Sequence, residues 1–562
     1  MKDEGAAPSI PAEQPSDGQA AWRPLTTHYS YLNTEIRPLQ EITFRQESPK
    51  MLVDVDKCIG CGFCMRDCPV EAIRIVTKKA QIDPLRCTHC GVCMRVCEQG
   101  AVTTETVRSQ DALECDHCPI KCWVMPGSIG ACHRYCNKDG RLVRNTPLHT
   151  FADVKDIVGP EPRPEIRYPV TTAIGAGTTY PCCKPAPYIV TDRRGEVDVV
   201  TVVTEVPLSY SSVIVKVDTD ISIGVEGAAV YVGKRSVGMV ETEQYGSKML
   251  HIGGVNRLTG PNGFAVARAI TDIANRKPVK LRIENGSRLE VQVGRPPVID
   301  GREVAKMRVG CGSATLGIFA PLLKNAADEV IVLDAHITGL MSRHVAGQFV
   351  GVRPTGIALK FKQSTPGRYF GDHGEGWGGT SIINPVDVID HIDMSVGWPG
   401  MTVLITETTG QNGALFEVDE VGTLCQIALT ETACLALEAI ASSCEPSRVS
   451  AIYTAGSGGS ARAGVTRFPI KLTRAVHAGK AHLTVGGASG FILPGGGISF
   501  MVDVERVRAG SFYWTPTPAT ICPLEYTMLV ADYEAMGGHM AAMKPFSAVA
   551  PAAVGQEEHD KK

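Results

Sequence analysis

Val53–Ile75 reads VDVDKCIGCGFCMRDCPVEAIRI, and Ala80–Thr104 reads AQIDPLRCTHCGVCMRVCEQGAVTT. At an offset of 29 residues, Cys58, Cys61, Cys64 and Cys68 of the first stretch fall on Cys87, Cys90, Cys93 and Cys97 of the second, so this part of the chain is an internal duplication. Each copy has the spacing C-x2-C-x2-C-x3-C, with Pro69 following the first. Working outward, cysteine stays dense: 13 of the 20 in the chain lie between Cys58 and Cys136. Outside a cell such thiols mean disulfides; inside it they mean metal. Met1–Gln19 is polar, Pro/Ala-rich and acidic, with no apolar core or cleavage signature, so the cytoplasm is the expected compartment and metal the expected use.

Three thiols two residues apart wrap a tight loop around one face of an iron–sulfur cubane, and the loop amides face the cluster's negative charge. The doubled run is the two-cluster bacterial ferredoxin pattern, in which the fourth cysteine of each run serves the other cluster. On that rule Cys58, Cys61, Cys64 and Cys97 hold one [4Fe–4S] centre, and Cys87, Cys90, Cys93 and Cys68 hold the other. Zinc, the alternative, usually pairs one C-x2-4-C unit with a distant second and does not call for four thiols per run. The second run ends Cys97–Glu98 instead of Cys-Pro, which sets a carboxylate near a cluster and favours a lower potential. A third group follows, Cys115-x2-Cys118-x3-Cys122 with Cys132 and Cys136 downstream and His117 and His133 among them. Its C-x2-C-x3-C spacing resembles the cubane sites of molybdenum and tungsten pterin oxidoreductases, while mixed Cys and His suit tetrahedral zinc. A third [4Fe–4S] cluster and a zinc ion are therefore both open here. The other seven cysteines, Cys182, Cys183, Cys311, Cys425, Cys434, Cys444 and Cys522, lack ligand spacing and are expected to be mostly small buried hydrophobes.

A chain of 562 residues has room for three or four domains of about 150 residues each. A formal charge of −3 with 20% charged residues excludes a global basic field for nucleic acid or anionic lipid. Leu483–Val502 is uncharged and long enough for a bilayer span, but six glycines and Pro494 favour a buried strand, turn and strand, and no membrane span is expected. The expected fold is α+β and multidomain. An extended arm, 1–44, precedes a two-cluster ferredoxin-like module, 45–108, and a Cys-rich metal segment, 109–160. A large mixed α/β catalytic domain, 161–540, and a flexible tail, 541–562, complete the chain. Strands are predicted at Glu196–Val206, Ser212–Val217 and Ala229–Val232, and a hairpin over Lys280–Val293 around Asn285–Gly286. Strand Lys306–Gly310, helix Ala314–Ala327 and strand Glu329–Asp334 read as one unit. Thr430 caps a helix running to Ser443, before a strand at Val449–Tyr453.

Clusters pass single electrons, and some 400 further residues imply a terminal catalytic centre. Glycine-rich turns let backbone amides approach a flavin phosphate. Three qualify: Gly310–Cys311–Gly312 with Asp334 downstream, Gly456–Ser457–Gly458–Gly459, and Gly486–Gly487 with Gly495–Gly496–Gly497. The first has the outline of a nucleotide-binding βαβ unit but lacks its third glycine and carries Pro321 in its helix; ordinary turns are the alternative for all three. Gly371–Thr380 (GDHGEGWGGT) gathers Asp372, His373, Glu375 and Trp377. Ala335–His344 presents His336, Arg343 and His344 beyond a strand end, where α/β sheets bind ligands. Arg343 can hold a carboxylate bidentately and the histidines can move protons; a solvated or structural role is the alternative for each.

The ferredoxin runs are followed in order by CDHCPIKC (115–122), GACHRYCN (130–137), RVGCGSATLGIFAP (308–321), LDAHITGLMSRH (333–344), DHGEGWGGTS (372–381), TETTGQNGALFEVDE (406–420) and GGASGFILPGGGISFMVDVERV (486–507). This succession resembles the 6-hydroxynicotinate reductases over roughly residues 45–535. The resemblance implies ferredoxin-dependent reduction of 6-hydroxynicotinate, a small aromatic N-heterocyclic carboxylate, to 1,4,5,6-tetrahydro-6-oxonicotinate. In that frame ferredoxin or another low-potential donor feeds the two clusters, the third metal site relays inward and a flavin collects two electrons. The resemblance names no catalytic residues; from the residues themselves, Arg343 is expected to hold the carboxylate and His336, His344 or His373 to donate a proton. Competing readings are an electron-transfer subunit of a larger complex, a pterin-dependent oxidoreductase, and a reductase of a different activated ring or enoate. Homo-oligomerisation is open.

Overall fold

A computed structural model describes residues 46–109, 112–118, 120–145, 148–158, 161–172, 179, 184–243, 247–495, 498–515 and 518–550. The arm 1–44, the Cys182–Cys183 pair and Gly496–Gly497 lie outside these residues. The described residues form two compact units, one of those up to 115 together with 122–145 and one of 116–121 together with those from 146 onward. The Cys-rich segment 109–160 is thus not a body of its own: most of it to residue 145 belongs to the ferredoxin-like unit, and the rest to the larger one.

In the first unit the ends of the duplication are tied together. Strand Gln46–Val53 runs antiparallel to Val102–Ser109, with Val53 opposite Val102. Between them lies the hairpin of Ile73–Val76 and Lys79–Ile82, in register at Ile73 and Ile82. Each cysteine run turns into a one-turn helix, Phe63–Arg66 or Val92–Arg95, from a glycine with positive φ, Gly62 at +82° and Gly91 at +73°. That backbone is strained for any residue with a Cβ. The core is small: Met51, Ala72, Ile73, Ala80, Ala101 and Val102 close around Cys58, Cys64, Cys87 and Cys93. Strands Leu113–Glu114 and Trp123–Val124 pair with each other, as do Tyr135–Lys138 and Arg141–Arg144.

The second unit carries three large sheets, of eleven, six and seven strands. The first two share one core, in which Val213, Val215 and Val217 of strand Ser212–Asp218 meet Val200 and Val202 of Val197–Thr204 and the helix Gly263–Ala274. The expected hairpin at Asn285 is present, with Leu281 opposite Leu289. In the seven-stranded sheet Glu329–Leu333 and Thr402–Glu407 are parallel neighbours, and every other pairing is antiparallel. Its two-residue period sorts the side chains. Val330, Val332 and Leu404 pack under helices Gly312–Ala326 and Glu431–Ser443, while Ile331, Leu333, Val403 and Ile405 pack against Leu359, Phe361 and Tyr369. Thr430 caps the second helix, its hydroxyl accepting from the Ala433 amide at 3.2 Å.

Three expectations need correction. Lys306–Gly310 is not a strand; Lys306 makes an isolated bridge to Pro446, so the helix that follows is not the crossover of a βαβ unit, and the parallel partner of Glu329–Leu333 arrives only with Thr402. Leu483–Val502 is not one hairpin: Ala481–Val485 joins the six-stranded sheet and Ser499–Asp503 the eleven-stranded one, because Gly486 and Gly487, at φ +52° and +88°, reverse the chain early. The tail is folded as far as residue 550, with Lys544–Pro545 lying parallel to Val190 and Thr191. No helix among the described residues is long and apolar enough to cross a membrane.

Candidate functional site

The ferredoxin-like unit holds a small hollow lined by Cys68, Cys87, Cys90 and Cys93, with Met51, Ile73 and Ile82 in its apolar wall. Three of these thiols belong to the second cysteine run and one to the first, which is the crossed set the spacing predicts. Burial pushes the Cys87 thiol up, and burial with Cys87 and Cys90 nearby pushes Cys93 up to about 12. Thiols so placed stay protonated unless a cation compensates them, as iron would. The chain's own donors complete the fit. The amides of Ala72 and Ala101 point at Cys68 Sγ and Cys97 Sγ, each at 3.3 Å and 29 residues apart, and that of Ala80 at Cys58 Sγ at 3.4 Å. Among the described residues no three His, Cys, Asp or Glu side chains converge as ligands of a single ion. A cubane asks instead for a hollow ringed by thiols.

The two cysteine loops match in sequence but not in surroundings. Cys61 is exposed, flanked by exposed Ile59 and Phe63. Its counterpart Cys90 is half-buried against Cys115, Cys122 and Val124, and the counterpart of Ile59 is Thr88, buried, whose carbonyl accepts from the Trp123 amide at 2.9 Å. Cys115 and Cys122 are buried and joined by a backbone hydrogen bond of 2.8 Å. Cys132 is exposed, Cys136 and Cys118 are half-buried, and Cys118 lies in the segment 116–121 that groups with the larger unit. Of the scattered cysteines only Cys522 is fully buried among those described; Cys425 and Cys434 are exposed on the seven-stranded sheet's last strand and on the helix after it, where no core reaches them.

In the larger unit the parallel strands end side by side, Leu333 opposite Glu407, and an acid stands at each end: Asp334 and Glu407. Asp334 is fully buried; one oxygen takes the Arg308 guanidinium and the other accepts from the amides of His336 at 3.2 Å and Ile337 at 2.8 Å. Arg308, equally buried, turns its Nε to Asp220 at 2.9 Å. Glu407 accepts from the Gly378 amide at 2.9 Å and the Thr409 hydroxyl at 2.6 Å. Alongside lies Lys248, buried, donating to the Glu243 main-chain carbonyl at 2.6 Å and paired with the Glu243 carboxylate at 2.7 Å. The loop 371–380 closes over this cluster. A Cβ on Gly378 would sit 2.3 Å from the Leu333 carbonyl oxygen, and one on Gly379 2.5 Å from that of Asp220, so only glycine lets the loop lie so close. Burial pushes Asp220 up to about 6, with Arg308 pulling it down and Glu407 pushing it further up. Burial holds His336 below its ordinary value, with Arg308, Lys248 and His373 adding to the effect.

The structure therefore brings together His336, His373 and Asp334 but sets Arg343 and His344 beyond the other end of strand Ile337–Leu340, on the order of 10 Å of extended chain away. Arg343 is exposed and donates to the Tyr369 hydroxyl at 2.9 Å. His344 caps the helix Val345–Phe349, its Nδ1 accepting from the Ala346 amide and its Nε2 lying 2.8 Å from Ser313 Oγ; burial, with Arg368 adding, holds it down to about 4. Gly312 is an internal packing point: its Cα faces the Val332 and Ile337 carbonyls, where a Cβ would come within 2.3 and 2.7 Å. Gly310 has Ala314 at its side, and the carboxylate of Asp334 is occupied by Arg308, so this turn does not form a dinucleotide cradle. Gly456 packs under the Tyr210 ring, whose hydroxyl donates to its carbonyl at 2.7 Å, whereas Gly459 after it has open space. Residue-by-residue reading missed Asp220, Arg308, Lys248, Glu243 and Glu407. For Glu407 a signal existed: EVIVLD and TVLITE are both apolar runs ending in an acid.

Residues 57–101 match the 4Fe-4S dicluster domain family. No solved structure matches the chain. Over 498 residues the chain is 50% identical to the 6-hydroxynicotinate reductase of Eubacterium barkeri, covering 88% of this chain and 99% of that protein. Likeness over nearly the whole length of that enzyme is far more than a shared ferredoxin module would produce, and it places the chain in the 6-hydroxynicotinate reductase family.

Proposed function

We propose that the protein reduces 6-hydroxynicotinate to 1,4,5,6-tetrahydro-6-oxonicotinate with low-potential electrons. Family membership over most of the chain carries this reading, and the cavity of four crossed thiols supports its redox half. The balance is two electrons and two protons per ring: C4 and C5 become saturated while C2=C3 and the carboxylate stay. Two [4Fe–4S] clusters, held by Cys58, Cys61, Cys64 and Cys97 and by Cys87, Cys90, Cys93 and Cys68, supply single electrons at low potential when bound. The chain orders them. Exposed Cys61 makes its loop the side reached by ferredoxin or another donor, and Cys90, packed on Cys115 and Cys122, makes the other loop the inner one. That contact favours a redox centre, a third cluster, over zinc at the third cysteine group. The flavin that collects the electron pair belongs at Gly459, beside which space is open, and not at Gly310–Gly312.

The substrate site we assign to the C-terminal ends of the parallel strands, where His336 and His373 stand at the mouth of the charged cluster. The buried Arg308–Asp334 pair there holds one strand end, and the hydrogen bond from the Gly378 amide to Glu407 ties the glycine loop to the other. The cytoplasm is the proposed compartment. Anaerobic purification with iron, sulfide, zinc and flavin quantified, followed by assay with a reduced low-potential dye and 6-hydroxynicotinate, tests the reading. Eight or more irons per chain and substrate-dependent dye oxidation are expected on the two-cluster count. About four irons, or no ring reduction by fully loaded protein, overturns it.

A further inference from the structure

The charged cluster contains four acids, and three of them are fully committed. Asp334 holds Arg308 and two amides, Glu407 holds an amide and a hydroxyl, and Glu243 holds Lys248 and accepts from the Ile223 amide at 3.0 Å. Asp220 differs. Among the described residues the one contact of its side chain is with Arg308 Nε at 2.9 Å, and it keeps 16% of its surface where Asp334 keeps none and Glu243 5%. It follows the strand Ser212–Asp218 of the eleven-stranded sheet, yet its carbonyl lies directly under Gly379 of the loop that carries His373.

We propose that the Asp220 carboxyl gives the ring one of its two protons. This rests on the function proposed above. The charged and titratable groups that act on Asp220 are Arg308, with Asp334 beyond it, Glu407 and Lys248, and the Cys444 thiol is within reach; Arg308 and Lys248 act on His336 as well. Burial and Glu407 favour the neutral acid, Arg308 and Lys248 the carboxylate, and the balance at about 6 leaves the group able both to hold and to release a proton near neutrality. In the step, the ring that has accepted two electrons from the low-potential donor forms a C–H bond at C5, next to the lactam carbonyl. The carboxyl O–H bond breaks, and its electron pair stays on Asp220. Arg308 is already in place to balance the new carboxylate, which takes its next proton from solvent on the histidine side.

The test uses the holoenzyme with Asp220→Asn and Asp220→Glu. For Asp220→Asn, kcat should fall by about 100-fold or more, the range for loss of a general acid. The affinity for 6-hydroxynicotinate and the extent of cluster bleaching by the reduced dye should stay within threefold of wild type. Wild-type kcat should decline as pH rises, with a limb that Asp220→Asn lacks and Asp220→Glu shifts. An Asp220→Asn enzyme within threefold of wild type, or one keeping the same limb, overturns the proposal. Should the Asn variant not fold, the Glu variant decides, an unshifted limb counting against it. Wild-type protein that never reduces 6-hydroxynicotinate overturns the function itself, a separate result.

Discussion

Replacing Asp220 by Asn should alter how the stability of the larger unit responds to pH. An ordinary aspartate ionises near 3.8; burial pushes Asp220 up to about 6 although Arg308 and Lys248 pull the other way. The folded chain thus binds this proton more tightly than the unfolded chain does. Its contribution to stability is full below about pH 3.8 and is lost as pH rises through about 6. At about 1.4 kcal/mol per pH unit the complete loss is about 3 kcal/mol, and roughly half of it falls between pH 5 and 8. An amide does not titrate, so the variant escapes this loss. Urea unfolding of the anaerobic protein, followed by the fluorescence of Trp377, Trp398 and Trp514, reads the difference. From pH 5 to 8 the balance should move toward the variant by about 1–2 kcal/mol. A difference that does not change over that range, or that moves toward the wild type, would refute the reasoning.

Other outcomes follow from the same geometry. Cys68→Ala should disturb the cluster held by the loop 87–93 while leaving that of 58–64, a change visible in iron content and electron paramagnetic resonance; loss confined to the first loop would refute the crossing. Gly312→Ala forces a methyl to 2.3 Å from the Val332 carbonyl oxygen and should destabilise the larger unit by about 1–3 kcal/mol, measured by denaturant unfolding. His344→Ala removes a helix cap and the Ser313 contact, costing about 1–2 kcal/mol. With its folded value down at about 4, the contribution of His344 is full above pH 6.5 and fades as pH falls, so the penalty should be larger at pH 7.5 than at pH 5. Arg343→Ala should leave KM for 6-hydroxynicotinate unchanged, since Arg343 stands away from the assigned site; a tenfold rise would return the carboxylate to it.

The ferredoxin-like unit was legible because its chemistry is local: two-residue spacing dictates the loop, and the offset of 29 dictates its twin. Strand Ala229–Val232 and the Thr430 cap were legible for the same reason, a short-range pattern with one physical solution. The charged cluster was not. Asp220 and Lys248 come from the eleven-stranded sheet, Asp334 and Glu407 from the seven-stranded one, and Arg308 from the segment between. Nothing in a single stretch announces a partner 26 residues away, still less one nearly 90 away, as Arg308 is from Asp220. Glycine misled for a related reason. Gly312 admits a neighbouring strand as readily as it would admit a phosphate, and only the tertiary fold says which is there.

A hollow whose fourth thiol comes from the other half of a duplication has a bearing on how the protein is made. Cys68 leaves the ribosome early, yet its hollow has no second wall until Cys87, Cys90 and Cys93 follow. Two self-sufficient halves would each have been able to load iron while the chain was still growing. On the crossed ligation proposed above, the exchange of one cysteine makes loading wait for both halves, and a message broken between them leaves no complete nest to fill.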